Sequence, residues 1–296
     1  MLSILIPAYN YNAVPLVLEL KEQADCLGID YEILVQDDAS FSILNIENQN
    51  INTIKSCCFF VNNYNLGRGK NINLLAEKAK YNWLLILDCD TFPTQNDFIK
   101  KYILSAKDPE HAIVFGGIKY KPEKPEKEKL LRWVYGNKRE SLSLKVRKEK
   151  PNNRALTSNL LIHKELFIKN SFDDSITKYG YEDLCFLADL EAKNIQVCHI
   201  ENPTFHLNLE TSAVFIEKTK IALENLAFII DSKIINPDDS KIVSAYNLLQ
   251  KFMLVTLTSY IFKKLESLIT TNLLSENPSL ILFDVYKLGY YCTLKR

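Results

Sequence analysis

Two carboxylates one residue apart, Asp88 and Asp90, follow the apolar run Trp83-Leu84-Leu85-Ile86-Leu87. Carboxylates this close repel unless a cation or hydrogen-bond donors offset them. A hard divalent ion carrying phosphate oxygens is their natural partner, because such sites use one or two carboxylates plus substrate oxygens. The same residues also fit a plain turn, since Asp often begins a loop after a strand. Further groups could join them: Asp37-Asp38 after a second apolar run, Glu182-Asp183 before a helical stretch, and His206. Each has an ordinary reading when taken singly. Asp pairs end strands, acids sit favourably at helix N-termini, and a lone His is commonly structural. His163 and His199 are read as structural. Gly67 and Gly69 could cradle phosphate through backbone N–H groups or simply reverse the chain.

The elements that must place these groups are legible in the hydrophobic pattern. Leu2 to Ile6 reads as a strand stopped at Pro7, and Val14 to Leu27 has helical spacing with Gly28 as its stop. Tyr31 to Val35, Cys57 to Val61 and Trp83 to Leu87 read as further buried strands. The β-α-β order predicts parallel crossovers. Ligands of open α/β sheets lie outside the carboxyl ends of the strands, so Asp38, Asp88 and Asp90 would meet at one sheet edge. A helix is expected over 71–80, another over 98–105, a strand over 112–115 and another over 195–200. Residues 155–163 are expected to lead into a short helix, and 43–56 carry no clear pattern. The Lys/Glu/Pro-rich segment 119–129 reads as a solvated loop, and the basic residues of 138–154 as a cationic surface or an exposed helix. Residues 1–209 are taken as the α/β domain and 210–296 as a helical C-terminal extension.

The chain has 296 residues, 47% hydrophobic and 24% charged, with 36 basic and 36 acidic side chains. That balance is ordinary for a soluble globular protein and gives no support to nucleic-acid binding. Seven cysteines without a Cys-x-x-Cys pair argue against structural zinc. Cys57, Cys58, Cys89 and Cys198 lie in apolar runs and are expected to be buried thiols. The opening residues carry no basic leader, which predicts a cytoplasmic protein, at most peripheral at the inner face of the membrane.

The ordered set of motifs resembles the inverting glycosyltransferases of family 2, in particular a bacterial branch, over roughly residues 1–210. Pro7-Ala8-Tyr9-Asn10, Asp37-Asp38-Ala39-Ser40, Asp88-Cys89-Asp90, Gly180-Tyr181-Glu182-Asp183 and His206 stand in the family's order. The resemblance implies a GT-A fold: a Rossmann-like, mostly parallel sheet flanked by helices. It implies that Pro7, Ala8, Tyr9, Asn10 and Asp38 hold the nucleotide base, Asp38 accepting an N–H from uracil. Asp88 would lie near the ribose and diphosphate. Asp90 and His206 would bind Mn²⁺ or Mg²⁺, and Asp183 would be the general base with Glu182 beside it at the acceptor. The family often carries Arg-Asn on the helix after the glycine loop. Here those positions fall on Ile72 and Asn73, which leaves Arg68 or Lys70 to supply the cation, and a shifted register offers Lys70-Asn71.

The expected reaction is metal-assisted transfer from a nucleotide sugar, in the first place a UDP-sugar, to a saccharide or lipid-linked acceptor. Its expected setting is bacterial surface polysaccharide or lipopolysaccharide synthesis. A nucleotidyltransferase would show a Gly-rich basic loop where Pro7-Ala8-Tyr9-Asn10 stands. A catalytically silent nucleotide-sugar-binding or scaffold protein of the same fold is the other alternative. The stretch 248–265 is apolar on more than one face, which suits packing on the core, a homodimer or a peripheral membrane contact.

Overall fold

The computed structural model describes residues 1–295. Its strands are β1 Leu2–Ala8, β2 Tyr31–Asp37, β3 Cys57–Val61, β4 Trp83–Leu87, β5 Thr91–Pro93, β6 Ile113–Phe115, β7 Ile118–Lys119, β8 Asn159–His163, β9 Cys198–His199 and β10 Thr204–His206. The helices of the first half are α1 Val14–Leu27, α2 Asn45–Asn48, α3 Arg68–Lys78, α4 Phe98–Ser105, α5 Leu130–Tyr135 and α6 Leu144–Lys148. Those of the second half are α7 Lys164–Lys169, α8 Glu182–Ala192, α9 Ser212–Asp231, α10 Lys241–Lys251, α11 Val255–Leu273 and α12 Leu280–Leu294.

A seven-stranded sheet runs in the order β3-β2-β1-β4-β8-β6-β9, with β8 antiparallel to both its neighbours and the other pairings parallel. Alternate residues of its strands feed two cores, as the two-residue period of a strand requires. Ile4, Ile6, Ile33, Val35, Leu85 and Leu87 face α1 and α4. Leu5, Leu34, Leu84 and Ile86 pack with Ile72 and Leu75 of α3 and with Phe186 and Leu190 of α8. Covering both faces explains why β4 is unbroken apolar sequence instead of an alternation.

A second sheet, β5-β10-β7, places His206 opposite Thr91 in antiparallel register. The C-terminal helices build their own cores but share them with the rest: Ile176 and Cys185 pack with Leu223, Leu226 and Ile229 of α9, and Leu131 packs with Phe283 and Tyr286 of α12.

Several expectations are corrected. Residues 159–163 form β8, the central antiparallel strand, instead of leading directly into a helix. β1 continues through Pro7 to Ala8. Its pairing with β4 ends at Leu5 while that with β2 runs on, so the proline falls where β4 needs no N–H from it. α3 begins at Arg68, a turn earlier than expected, with Gly67 at φ 85° before it. The strand expected over 195–200 is reduced to Cys198–His199. Cys58 is exposed, whereas Cys57 is buried and Cys89 and Cys198 are half-buried. The basic stretch 138–154 is no simple cationic surface. Arg147 is 2% exposed and donates to the carbonyls of Leu142, Phe115, Gly116 and Ile200.

Candidate functional site

A cleft of about 420 Å³ opens at the carboxyl ends of β1, β2 and β4. Its size is that of an ordinary small-molecule site. β4 ends at Leu87, and Asp88 follows at the floor, its N–H bonded to the carbonyl of Ser158. Asp90 is carried at the start of the second sheet, where its carbonyl accepts from the N–H of Leu207. That pairing brings His206 Nε2 to 3.5 Å from Asp90 Oδ2.

Arg68, on the first turn of α3, ties the floor to the far wall. Its Nε and Nη2 donate to Asp88 Oδ1 at 2.9 and 2.6 Å. Its Nη1 donates to Asp183 Oδ1 at 2.8 Å and to Thr157 Oγ1 at 2.8 Å, and lies 3.9 Å from Glu182 Oε1. Burial works against this guanidinium's charge. Asp88, Asp183 and Glu182 outweigh it and hold the pKa above the ordinary value. Thr157 in turn donates from both Oγ1 and its N–H to the Asp183 carboxylate.

Glu182 and Asp183 start α8, where the helix dipole favours acids. The turn before them needs positive φ at Gly180 (92°) and Tyr181 (69°). A Cβ on Gly180 would come within 2.6 Å of Ala222 Cβ, so α9 packs too closely there for any other residue. Buried Asn225 of α9 also donates to the carbonyls of Lys178 and Gly180 at 3.1 and 2.6 Å. The C-terminal helices thus set the position of the Glu182–Asp183 pair.

Burial, followed by the neighbouring Asp183 carboxylate, pushes the Glu182 carboxyl upward from its usual value. Its Oε2 is buried without a hydrogen-bond partner. A raised folded-state pKa means that the native state holds a proton the unfolded chain has released. The contribution to stability is therefore present below the unfolded value of about 4.3 and is lost as pH rises through the folded value. Glu182→Gln removes this loss. Its melting temperature should gain on the parent's as pH is raised from about 4 to about 8, by about 2–4 °C for each kcal/mol recovered. Thermal denaturation across that range checks it, and a parallel pair of curves would refute it.

Burial raises the Asp90 carboxyl to about 6, with Arg132 opposing. Burial and then Arg132 lower His206 to about 4, which leaves the imidazole neutral near pH 7. Its ring stacks on Tyr120 at 5.4 Å, and its Nδ1 is buried and unpartnered. The carboxylate oxygen suits Mn²⁺ or Mg²⁺, and of the two the neutral imidazole nitrogen favours the transition metal Mn²⁺. At 3.5 Å they are too far apart to hydrogen-bond well, yet near enough to share an ion. Among the described residues no group of three or more His, Cys, Asp or Glu is placed to hold a metal. Further positions would have to come from ligand oxygens and water.

The other sequence-derived residues divide. Pro7, Ala8, Tyr9, Asp38, Arg68, Asp88, Asp90 and Glu182 line the cleft. Asp38 is 4% exposed. Its Oδ1 accepts from Asn62 Nδ2 and the N–H of Leu66, and its Oδ2 from the N–H of Gly67. One lone pair on Oδ2 is left for a base. Asn10, at φ 50°, is exposed and is not among the cleft-lining residues. Nor are Lys70 and Asn73: Lys70 lies 3.7 Å from Asp174, and Asn73 donates to Asp174 and to the carbonyl of Phe172. In the structure the side chains of these two hold the 172–174 segment. Buried Asn71 lines the cleft in their place.

Sequence reasoning missed the opposite wall, made by Ile176 to Tyr179 and by Glu210, Lys218 and Ile221. Nothing in a helical stretch such as α9 marks a binding face. No motif in the sequence points to the bond between Thr157 and Asp183.

A mostly parallel sheet between two helical layers, with acids gathered beyond its strand ends, defines a GT-A glycosyltransferase fold. The chain belongs to glycosyl transferase family 2, whose family model matches residues 3–170. No curated protein matches the sequence. Solved structures do. The mannosyltransferase PcManGT from Pyrobaculum calidifontis, in complex with GDP-Man and Mn²⁺, is 12% identical with a TM-score of 0.54, over 99% of this chain and 84% of that one. Glucosyl-3-phosphoglycerate synthase from Mycobacterium tuberculosis, with Mn²⁺, uridine diphosphate and glucosyl-3-phosphoglycerate, is 14% identical with a TM-score of 0.51, over 77% and 79%. S. aureus TarS is 16% identical with a TM-score of 0.50 over 75% of this chain, which spans only 39% of the TarS chain. At these identities the likeness establishes the fold.

Proposed function

We propose that the protein is an inverting, metal-assisted glycosyltransferase that moves a sugar from a nucleotide sugar, in the first place a UDP-sugar, to a saccharide or lipid-linked acceptor. The setting we assign is synthesis of a bacterial surface polysaccharide or lipopolysaccharide. The observation that carries this reading is the single cluster in which Arg68 joins Asp88 to Asp183 and Glu182, with Asp90 and His206 alongside.

On this reading Pro7, Ala8, Tyr9 and the free lone pair of Asp38 hold the base, and Asp88 with Arg68 borders the ribose and diphosphate. Five carboxylates (Asp38, Asp88, Asp90, Glu182 and Glu210) and three cations (Arg68, Lys178 and Lys218) line the cleft, so a diphosphate gains from added positive charge. Asp90 and His206 would hold Mn²⁺ or Mg²⁺, which stabilises the departing diphosphate as a Lewis acid. Asp183, oriented by Thr157 and Arg68, takes the proton of the acceptor hydroxyl as that oxygen bonds to the anomeric carbon and the bond to the diphosphate breaks. Glu182 lines the cleft wall beside Asp183 and borders the acceptor. Residues 1–209 form the catalytic domain. The extension 210–296 contributes α9, whose Lys218 and Ile221 border the acceptor end.

The mannosyltransferase and the phosphoglycerate synthase named above were solved with Mn²⁺ and a nucleotide or nucleotide sugar, which supports the same chemistry here. A panel of UDP- and GDP-sugars tests it. Nucleoside diphosphate release or donor binding should appear with Mn²⁺ or Mg²⁺ and vanish with a chelator. Absence of both across the panel would leave a silent binding or scaffold protein as the better reading.

A further inference from the structure

We propose that the outer face of α11, together with the corner that joins it to α10, seats on a bilayer bearing anionic lipid headgroups. Helix α11 has two apolar faces. One, with Phe262, Ile269 and Leu273, is buried against α12. The other runs Leu254, Leu257, Ile261, Leu265 and Leu268, at helical spacing, and every one of these side chains is exposed, from 39% to 68%. A single exposed leucine needs no explanation, but a continuous stripe marks an interaction surface.

The corner extends the stripe. Phe252 is 62% exposed and Met253 is 90% exposed, the latter at φ 57°. A left-handed position that favours glycine or asparagine therefore carries the most exposed hydrophobic side chain of the described residues.

The charges beside the stripe choose its occupant. Lys251 at the corner and Lys264 are exposed, and Lys264 Nζ lies over the exposed Tyr260 ring at 5.7 Å. Glu266, the acid of α11, and Lys263 lie on the other side, in a groove with Lys220 of α9, Glu266 at 4.0 Å from Lys220. An apolar stripe bordered by lysines and a tyrosine is the pattern of a helix lying in a headgroup layer, where lysine stems cover apolar surface and their ammonium groups reach phosphate. A second copy packed on the same face would bring these lysines together with no acid of α11 to meet them. No helix among the described residues is long and apolar enough to cross a membrane, so the contact is peripheral.

The test is co-sedimentation of the full chain with phosphatidylcholine vesicles and with vesicles that also contain phosphatidylglycerol, beside ultracentrifugation without lipid. The chain should pellet with the anionic vesicles and much less with the neutral ones. Lys251→Gln/Lys264→Gln should weaken anionic binding by about tenfold. Met253→Ser/Leu257→Ser should weaken it by at least about tenfold, with circular dichroism and melting temperature retained. Three results would overturn the proposal: no binding to either vesicle, equal binding that neither variant changes, or a lipid-free dimer that Met253→Ser/Leu257→Ser dissociates.

Discussion

Asp90→Ala is expected to make UDP binding indifferent to Mn²⁺ and to lower donor turnover to the level seen with a chelator. The parent should bind UDP at least about tenfold more tightly with Mn²⁺ than without, a difference of about 1.4 kcal/mol. Asp90 is the carboxylate within 4 Å of His206, and alanine leaves a single imidazole nitrogen there. The neighbouring acids are engaged by cations, Glu210 by Lys218. Asp88 Oδ1 is engaged twice by Arg68, and Cys89 packs against the core on the α1 side of the sheet. The pair Asp90–His206 is also built by backbone pairing of β5 with β10, so removing one side chain should leave the other in place. Calorimetric titration of UDP with and without Mn²⁺ reads the effect. A variant that keeps the parent's Mn²⁺ response would place the metal elsewhere or remove it from the reaction.

How much of this site could be read from sequence depends on how local its causes are. Asp88 and Asp90 at a strand tip follow from five consecutive apolar residues, and the order of the acid pairs supplied the family. The fold expected from that resemblance is the one observed. The meeting of Asp90 with His206 rests on a three-residue strand pairing, and strands so short carry no period. β8 escaped for a related reason. An apolar run of its length does not distinguish strand from helix, and what makes it a strand is its pairing with β4 and β6. Arg68 stood out as a basic residue after a glycine, but sequence gives no direction to a long side chain. That it faces Asp88 and Asp183, while Lys70 one position beyond Gly69 faces Asp174, follows from the turn of α3 and from its earlier start.

Asp183→Asn should separate binding from transfer. UDP affinity with Mn²⁺ should stay within about threefold of the parent, since asparagine can keep the bond to Arg68 Nη1 that Asp183 makes. Transfer should fall by about 10²–10⁴, the range lost with a general base. The amide is close to isosteric and can still offer Oδ1 to Arg68 Nη1 and to the Thr157 hydroxyl, the present partners of the carboxylate. Its NH₂ would then face the Thr157 N–H that now donates to Oδ2, a mismatch costing about 1–3 kcal/mol and visible in the melting temperature without metal. Glu182 is the one neighbouring group that could stand in as base for this variant. Burial favours its protonated form, and removing the Asp183 charge takes away a second cause of that. A lost rate that stays lost as the pH is raised would show that Glu182 does not replace Asp183. Loss of UDP binding together with transfer would instead mean that Asp183 serves chiefly to hold Arg68 over the donor. Near-normal transfer would remove the base assignment from α8 altogether.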